Sequence, residues 1–199
     1  MNGWAVLLSA AVEPVNRLTA AYADPAAQQS AWLLDVIARN TSSQFGRRHC
    51  FDAIRSIESF QRRVPVAAYE WFPDDIQAIP DGSRGILTTD PVVAFEETAG
   101  STAGRKLIPY TRAGLADIES AILVWLHGLA HSHPGIAAGV AYWSISPACR
   151  PALQTRGGVP IGFGSDAAYF FPRTASPLSS LAAVPQSIED LVTWNLRRR

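Results

Sequence analysis

One stretch of the 199-residue chain gathers the side chains that a polyphosphate site needs: Glu96-Glu-Thr-Ala-Gly-Ser-Thr-Ala-Gly-Arg-Lys-Leu-Ile-Pro-Tyr-Thr111. Gly100 and Gly104 allow a tight loop whose backbone N–H groups can approach a ligand closely. Thr98, Ser101 and Thr102 add hydroxyl donors, and Arg105 and Lys106 add positive charge. Charge-assisted hydrogen bonds of this kind contribute about 1.5–3 kcal/mol each. Composition alone leaves an ordinary Ser/Gly-rich hairpin loop as the alternative. A Walker-type loop is excluded, because Gly100-x3-Gly104-Arg-Lys106 is followed by Leu107 rather than by Ser or Thr.

Weaker candidates have plainer explanations. His127 and His131 share a helix face, but no acidic partner is near them, and with His133 they suit carbonyls at a helix exit. Gly162-Phe-Gly164-Ser-Asp-Ala167 fits a loose dinucleotide fingerprint, yet Pro172 and Tyr169-Phe-Phe171 leave little room for the helix that pyrophosphate would meet. Glu96 and Glu97 could hold Mg²⁺ or simply end a strand in solvent. Tyr142 and Trp143 could line an acyl pocket or fill a strand interior. Cys50 and Cys149 stand far apart with no ligand-spaced Cys or His, so neither a disulfide framework nor a metal site is expected.

Those residues must be positioned by elements that alternate. Trp4 to Leu18 reads as a first helix. Asp24-Pro25 caps a second, which carries Trp32, Leu33, Val36 and Ile37 at helical spacing and stops near Asn40-Thr41. Ser56 caps a short helix to Phe60, and Tyr69 to Ile79 forms another that Pro73 interrupts. Residues 80–85 make a turn. Val92–Phe95 and Lys106–Thr111 are extended runs on either side of the Gly/Ser/Thr loop. Gly114 to Ala130 is a long helix with a stripe of Leu115, Ile118, Ile122, Leu126 and Leu129. Gly139–Ile145 and Val159–Ile161 read as strands, and a helix from Ser187 to Arg197 closes the chain. Helices alternating with strands indicate an α/β fold in which helices pack on a mixed sheet.

Composition narrows the function further. Hydrophobic residues make up 48% of the chain, enough for a buried core, and disorder is excluded. Basic and acidic residues number 17 each, so nucleic acid is not an expected partner. The apolar start is preceded by no Lys or Arg and falls short of the ~20 residues that cross a bilayer, so a soluble cytoplasmic protein with no membrane partner is expected. Sixteen of the basic residues are Arg, and Lys106 is the single lysine.

The run from Thr98 to Thr111 resembles the phosphate-binding motif of the auxin-responsive-promoter family of acyl acid–amido synthetases, relatives of firefly luciferase and the acyl-CoA synthetases. Asn40-Thr-Ser-Ser-Gln-Phe-Gly46, Phe60-Gln-Arg-Arg-Val-Pro-Val66, Tyr142-Trp-Ser-Ile-Ser-Pro147, Gly158-Val-Pro-Ile-Gly162 and Asp166 to Tyr169 are similar to bacterial members, in the family's order. The resemblance implies a ligase that uses ATP and Mg²⁺ to convert a carboxylic acid to its acyl-adenylate, then passes the acyl group to an amino-acid amine. It implies that Thr98, Gly100, Ser101, Thr102, Gly104 and Lys106 hold the ATP phosphates, while leaving the catalytic residues unidentified. Ala99 departs from the pattern where many relatives carry a hydroxyl. A single residue separates Gly104 from Lys106, where the wider superfamily commonly has two.

Family members are much longer, and the similar stretches belong to their N-terminal part. Residues 1–199 are therefore expected to be an incomplete N-terminal portion of the large adenylation domain. A helical start over 1–80 would precede an α/β portion with the phosphate loop over 81–199, and the C-terminal domain with its second lysine would be absent. A separately encoded remainder is a conceivable partner. The alternative expectation is a catalytically silent domain that binds nucleotide weakly or serves assembly.

Overall fold

Local capping chemistry sets where the elements begin and end. A computed structural model describes residues 3–98, 106–139, 141–142, 153–163 and 182–183. In chain order the elements are α1 (Gly3–Ala21), α2 (Pro25–Arg39), α3 (Gln44–Arg48), α4 (Ile57–Arg63), α5 (Pro73–Ala78), β1 (Val92–Glu97), β2 (Leu107–Thr111), α6 (Arg112–Ser132), β3 (Ala141–Tyr142), β4 (Leu153–Gln154), β5 (Pro160–Ile161) and β6 (Ala182–Ala183). Asp24 Oδ1 accepts from the Ala27 N–H at 2.9 Å, and Pro25 occupies the first helical position of α2. At α4 the Ser56 and Ser59 side chains satisfy each other's backbone N–H groups, and the helix runs on to Arg63 rather than stopping at Phe60.

Two expectations need correction. Tyr69 to Ile79 is not one helix: Tyr69–Trp71 is a single 3₁₀ turn, and Pro73 begins α5 instead of interrupting it. The fixed φ of proline and its missing N–H suit the first position of a helix, where that donor has no partner in any case. The buried face of α6 is Leu115, Glu119, Leu123, Leu126 and Ala130, rotated from the expected stripe. Ile118, Ile122 and Leu129 are only half-buried. The closing helix over 187–197, the Gly164–Ala167 stretch and most of the 139–145 strand lie outside the described residues.

The chain divides into two compact units. The first comprises residues 1–19, 113–152 and 162–199. Its core joins Trp4, Leu7 and Ala11 of α1 to Leu123, Leu126 and Ala130 of α6. Trp4 Nε1 donates to the Gly139 carbonyl at 2.9 Å. By length and composition α6 could cross a membrane. Leu123, Leu126 and Ala130 of this helix pack on α1, and Glu119 on the same face is completely buried. β3 and β6 pair in parallel in this unit.

The second unit, residues 20–112 and 153–161, contains a mixed four-stranded sheet in the order β2-β1-β5-β4. β1 runs antiparallel to β2 and parallel to β5, which is antiparallel to β4. Phe95, at the centre of β1, is fully buried with Ile79 and Ile86. A separate cluster of Ile37, Phe51 and Ile54 joins α2 to the turn that follows α3. Helices on a mixed sheet are the architecture expected from the alternating pattern.

Between these clusters lies a polar knot that the sequence pattern did not announce as structure. Asn40 Oδ1 accepts from Thr88 Oγ1 at 2.8 Å and from the Thr89 N–H at 2.9 Å, while its Nδ2 donates to Val36 O. Ser43 Oγ donates to Asn40 O at 2.8 Å and accepts from the Gly46 N–H at 2.9 Å. The Gln44 and Phe45 N–H groups donate to the carbonyls of Gly85 and Ile86. The Asn40–Gly46 stretch thus ends α2, starts α3 and holds the 85–89 segment that leads into β1.

Candidate functional site

The loop between β1 and β2 is fixed at its mouth by two residues of the expected site. The hairpin register pairs Glu97 with Leu107. One step further out, the Thr98 N–H donates to Lys106 O at 3.0 Å, and the Lys106 N–H reaches Thr98 Oγ1 at 3.3 Å. Thr98 and Lys106 therefore meet across the two strands. Gly100, Ser101, Thr102 and Gly104 lie outside the described residues, as does Arg105. β1, which leads to Thr98, is flanked by β2 and β5 and carries the buried Phe95.

The side chain of Lys106 is held by residues that sequence reasoning missed. Its Nζ donates to Glu70 Oε1 at 2.6 Å and stands 4.6 Å from the centroid of the Tyr69 ring. Tyr69 Oη donates in turn to Leu107 O at 3.3 Å, beside the lysine. The 3₁₀ turn of Tyr69–Trp71 brings these two residues up against the base of the hairpin. Cation–π contact and ion pairing act on the same ammonium, which fixes where its charge sits.

The Lys106 hydrogen bond is also the main reason that the Glu70 carboxyl is held below the usual carboxylate range. A depressed carboxyl pKa stabilises the folded contact at and above the ordinary carboxylate range, and that contribution is lost as pH falls through the lowered value. The tie between the Tyr69–Trp71 turn and the hairpin should therefore persist at neutral pH and weaken as pH falls below the ordinary carboxylate range. Both partners are partly solvated, so its effect on overall stability is small.

A second, bidentate pair lies nearby in the chain: Arg48 meets Asp75 at 2.6 and 2.9 Å and joins α3 to α5. The Asp75 carboxylate raises the pKa of Arg48, chiefly through hydrogen bonding. This pair ties elements of the scaffold together.

Other candidates are dispersed. Glu96 and Glu97 sit opposite Ile108 and Leu107 on β1. Among the described residues no group of three or more His, Cys, Asp or Glu gathers as a metal site. His127 and His131 stack one turn apart on α6, with ring centroids 6.4 Å apart. A shallow cavity of about 130 Å³ opens between the Gly82–Thr88 segment and Gly157–Val159, and neither Thr98 nor Lys106 lines it.

The GH3 family N-terminal domain matches residues 14–190. The chain is 36% identical over 85 residues to the probable indole-3-acetic acid-amido synthetase GH3.2 of Oryza sativa subsp. japonica, covering 42% of this chain and 14% of that protein. It is 34% identical over 88 residues to the indole-3-acetic acid-amido synthetase GH3.4 of Arabidopsis thaliana, covering 43% and 15%. In fold it is similar to the AtGH3.15 acyl acid amido synthetase in complex with 2,4-DB, with a TM-score of 0.63 at 20% identity over 77% of this chain and 26% of that one. The chain thus spans about a seventh of the curated relatives' length and about a quarter of the solved structure's. The match over residues 14–190 is decisive: this chain belongs to the GH3 family and carries its N-terminal domain.

Proposed function

We propose that the chain is the N-terminal segment of an ATP-dependent acyl acid–amido synthetase and that the β1–β2 loop holds the nucleotide's phosphates. A carboxylate oxygen attacks the α-phosphorus, and pyrophosphate leaves. An amino-acid nitrogen then attacks the acyl carbon, AMP departs, and the amide forms with loss of a proton. Thr98, Gly100, Ser101, Thr102, Gly104 and Lys106 would supply the N–H, O–H and ammonium donors for the phosphate oxygens. Donors fixed before the reaction stabilise charge that builds up on those oxygens without reorganising as it develops. Mg²⁺ belongs to the proposal as the counter-ion of the nucleotide, lowering the repulsion met by an anionic nucleophile.

The observation that carries this reading is the closure of a Gly/Ser/Thr loop by Thr98 and Lys106, which sets the chain's single lysine at the loop's mouth. Family membership supports it. The acid is a small carboxylic acid and the acceptor an amino acid, in keeping with the names of the relatives, and the reaction is proposed to occur in the cytoplasm without a nucleic-acid or membrane partner. The whole enzyme's activity stays within the proposal, because the chain spans a minor part of each relative.

Exchange of labelled pyrophosphate into ATP tests it, using a panel of aryl and aliphatic acids that begins with indole-3-acetic acid. Acid-dependent exchange is expected, and Ser101→Ala should lower it about tenfold, the effect of losing one charge-assisted donor. ATP binding that responds to Ser101→Ala without any exchange would support phosphate binding alone, in a domain that is catalytically silent by itself. No binding at all would overturn the reading.

A further inference from the structure

We infer that Glu70 is a built-in competitor for the polyphosphate at Lys106, a carboxylate that yields the ammonium to phosphate when the ligand binds. The inference rests on the proposed phosphate role of the loop and adds a residue that controls its affinity. An ammonium has three N–H donors, and one of them is directed at Glu70 Oε1 at 2.6 Å. The Tyr69 ring covers another side at 4.6 Å. A phosphate oxygen approaching Lys106 thus meets a cation already neutralised by a near neighbour.

Exchange is feasible because the pair is not locked in the interior. The Glu70 side chain is 61% exposed and that of Lys106 32%. Water can solvate the displaced carboxylate, so its release costs little compared with that of a buried ion pair. The aromatic ring remains under the ammonium during the exchange, because Tyr69 Oη is tied independently to the backbone oxygen of Leu107. Tyr69 therefore positions the cation, while Glu70 occupies it.

The competitor also confers selectivity. A monoanion of modest charge gains little by replacing one carboxylate with another, whereas a polyphosphate brings several charges to the same ammonium. Anions carrying a carboxylate or a single phosphate would be disfavoured relative to pyrophosphate or ATP. Glu70 is accordingly a specificity residue that acts through Lys106.

The single lysine makes the test direct. Labelling the full chain with [15N]lysine gives one side-chain ammonium signal, that of Lys106. In acid titration this signal should move in wild type with an inflection below the ordinary carboxylate range, and Glu70→Gln should abolish that inflection. Saturating pyrophosphate should remove the inflection from wild type too, because the ammonium then faces phosphate. Glu70→Gln should bind pyrophosphate about three- to fivefold tighter than wild type, as expected for removing one partly solvated charge next to the ligand. The fold, followed by circular dichroism, should not change.

An inflection that persists unchanged at saturating pyrophosphate would make Glu70 a fixed structural tie and overturn the inference. Equal or weaker pyrophosphate binding by Glu70→Gln would do the same. In both cases wild type still binds pyrophosphate, so the phosphate reading survives. A wild-type chain that binds neither pyrophosphate nor ATP would overturn both.

Discussion

Gly46→Ala should destabilise the second unit by about 4 kcal/mol, with the melting temperature falling by roughly 15–30 °C. On an exposed helix the same change would stabilise by up to about 1 kcal/mol, through propensity alone. Packing decides the sign here. A Cβ at position 46 would overlap the Asn40 carbonyl oxygen and lie 3.0 Å from both the Asn40 carbonyl carbon and Ser43 Oγ. That oxygen cannot move aside freely, because it accepts from Ser43 Oγ and from the Ser43 N–H. Shifting it would also pull on the Asn40 side chain, which holds Thr88 and Thr89. The clash would open the α2–α3 junction and loosen the segment entering β1. Gly128→Ala in α6 is the internal control: among the described residues nothing lies within 4 Å of its Cβ, and a small gain in stability is expected. Thermal melts of the two variants decide the matter. Equal stability of Gly46→Ala and wild type would contradict the knot.

Lys106→Ala should weaken pyrophosphate and ATP binding about 10- to 100-fold and leave the melting temperature nearly unchanged. Losing the ammonium removes a charge-assisted donor at the loop mouth. It also leaves the Glu70 carboxylate without its partner next to an anionic ligand, so the loss exceeds that of a simple truncation. Two rescues follow. Glu70→Gln in the Lys106→Ala chain should recover part of the affinity by removing the stranded charge. Lys106→Arg should retain part of the affinity, because charge is kept while the compact ammonium geometry is lost. Calorimetric titration with pyrophosphate measures each step. Unchanged affinity in Lys106→Ala would remove Lys106 from the site.

Features carried by local chemistry were legible in the sequence. Asp24-Pro25 marked a helix start because a cap acceptor and a proline at the first turn have one common use. The two strands beside the loop were legible as well, since Val92–Phe95 and Lys106–Thr111 are extended apolar runs on either side of a Gly/Ser/Thr stretch. The face of α6 was not. Ile122 to Leu126 is apolar without interruption, so periodicity cannot choose among faces; the choice is made by packing against α1. A buried Glu119 further defeats any rule that assigns charge to the outside. α3 was missed because five residues make too short a window for periodicity, although Ser43 before Gln44 is a cap signal.

The partners of Lys106 were hidden by distance. Glu70 lies 36 residues upstream, and no local pattern links the two. Only the tertiary course of the chain brings the 3₁₀ turn of Tyr69–Trp71 to the hairpin base. The Asn40–Gly46 stretch was recognised as similar to family members, but its role as a hydrogen-bonded junction needed the contacts to Thr88, Thr89, Gly85 and Ile86.

Amide NMR reads the 98–106 loop residue by residue. Titrating ATP with Mg²⁺ into the 15N-labelled chain should shift the backbone amides from Thr98 to Lys106, with Gly100, Ser101, Thr102 and Gly104 moving furthest. Shifts confined to the cavity at Gly82–Thr88, with the 98–106 amides unmoved at saturation, would rule out phosphate binding by this loop.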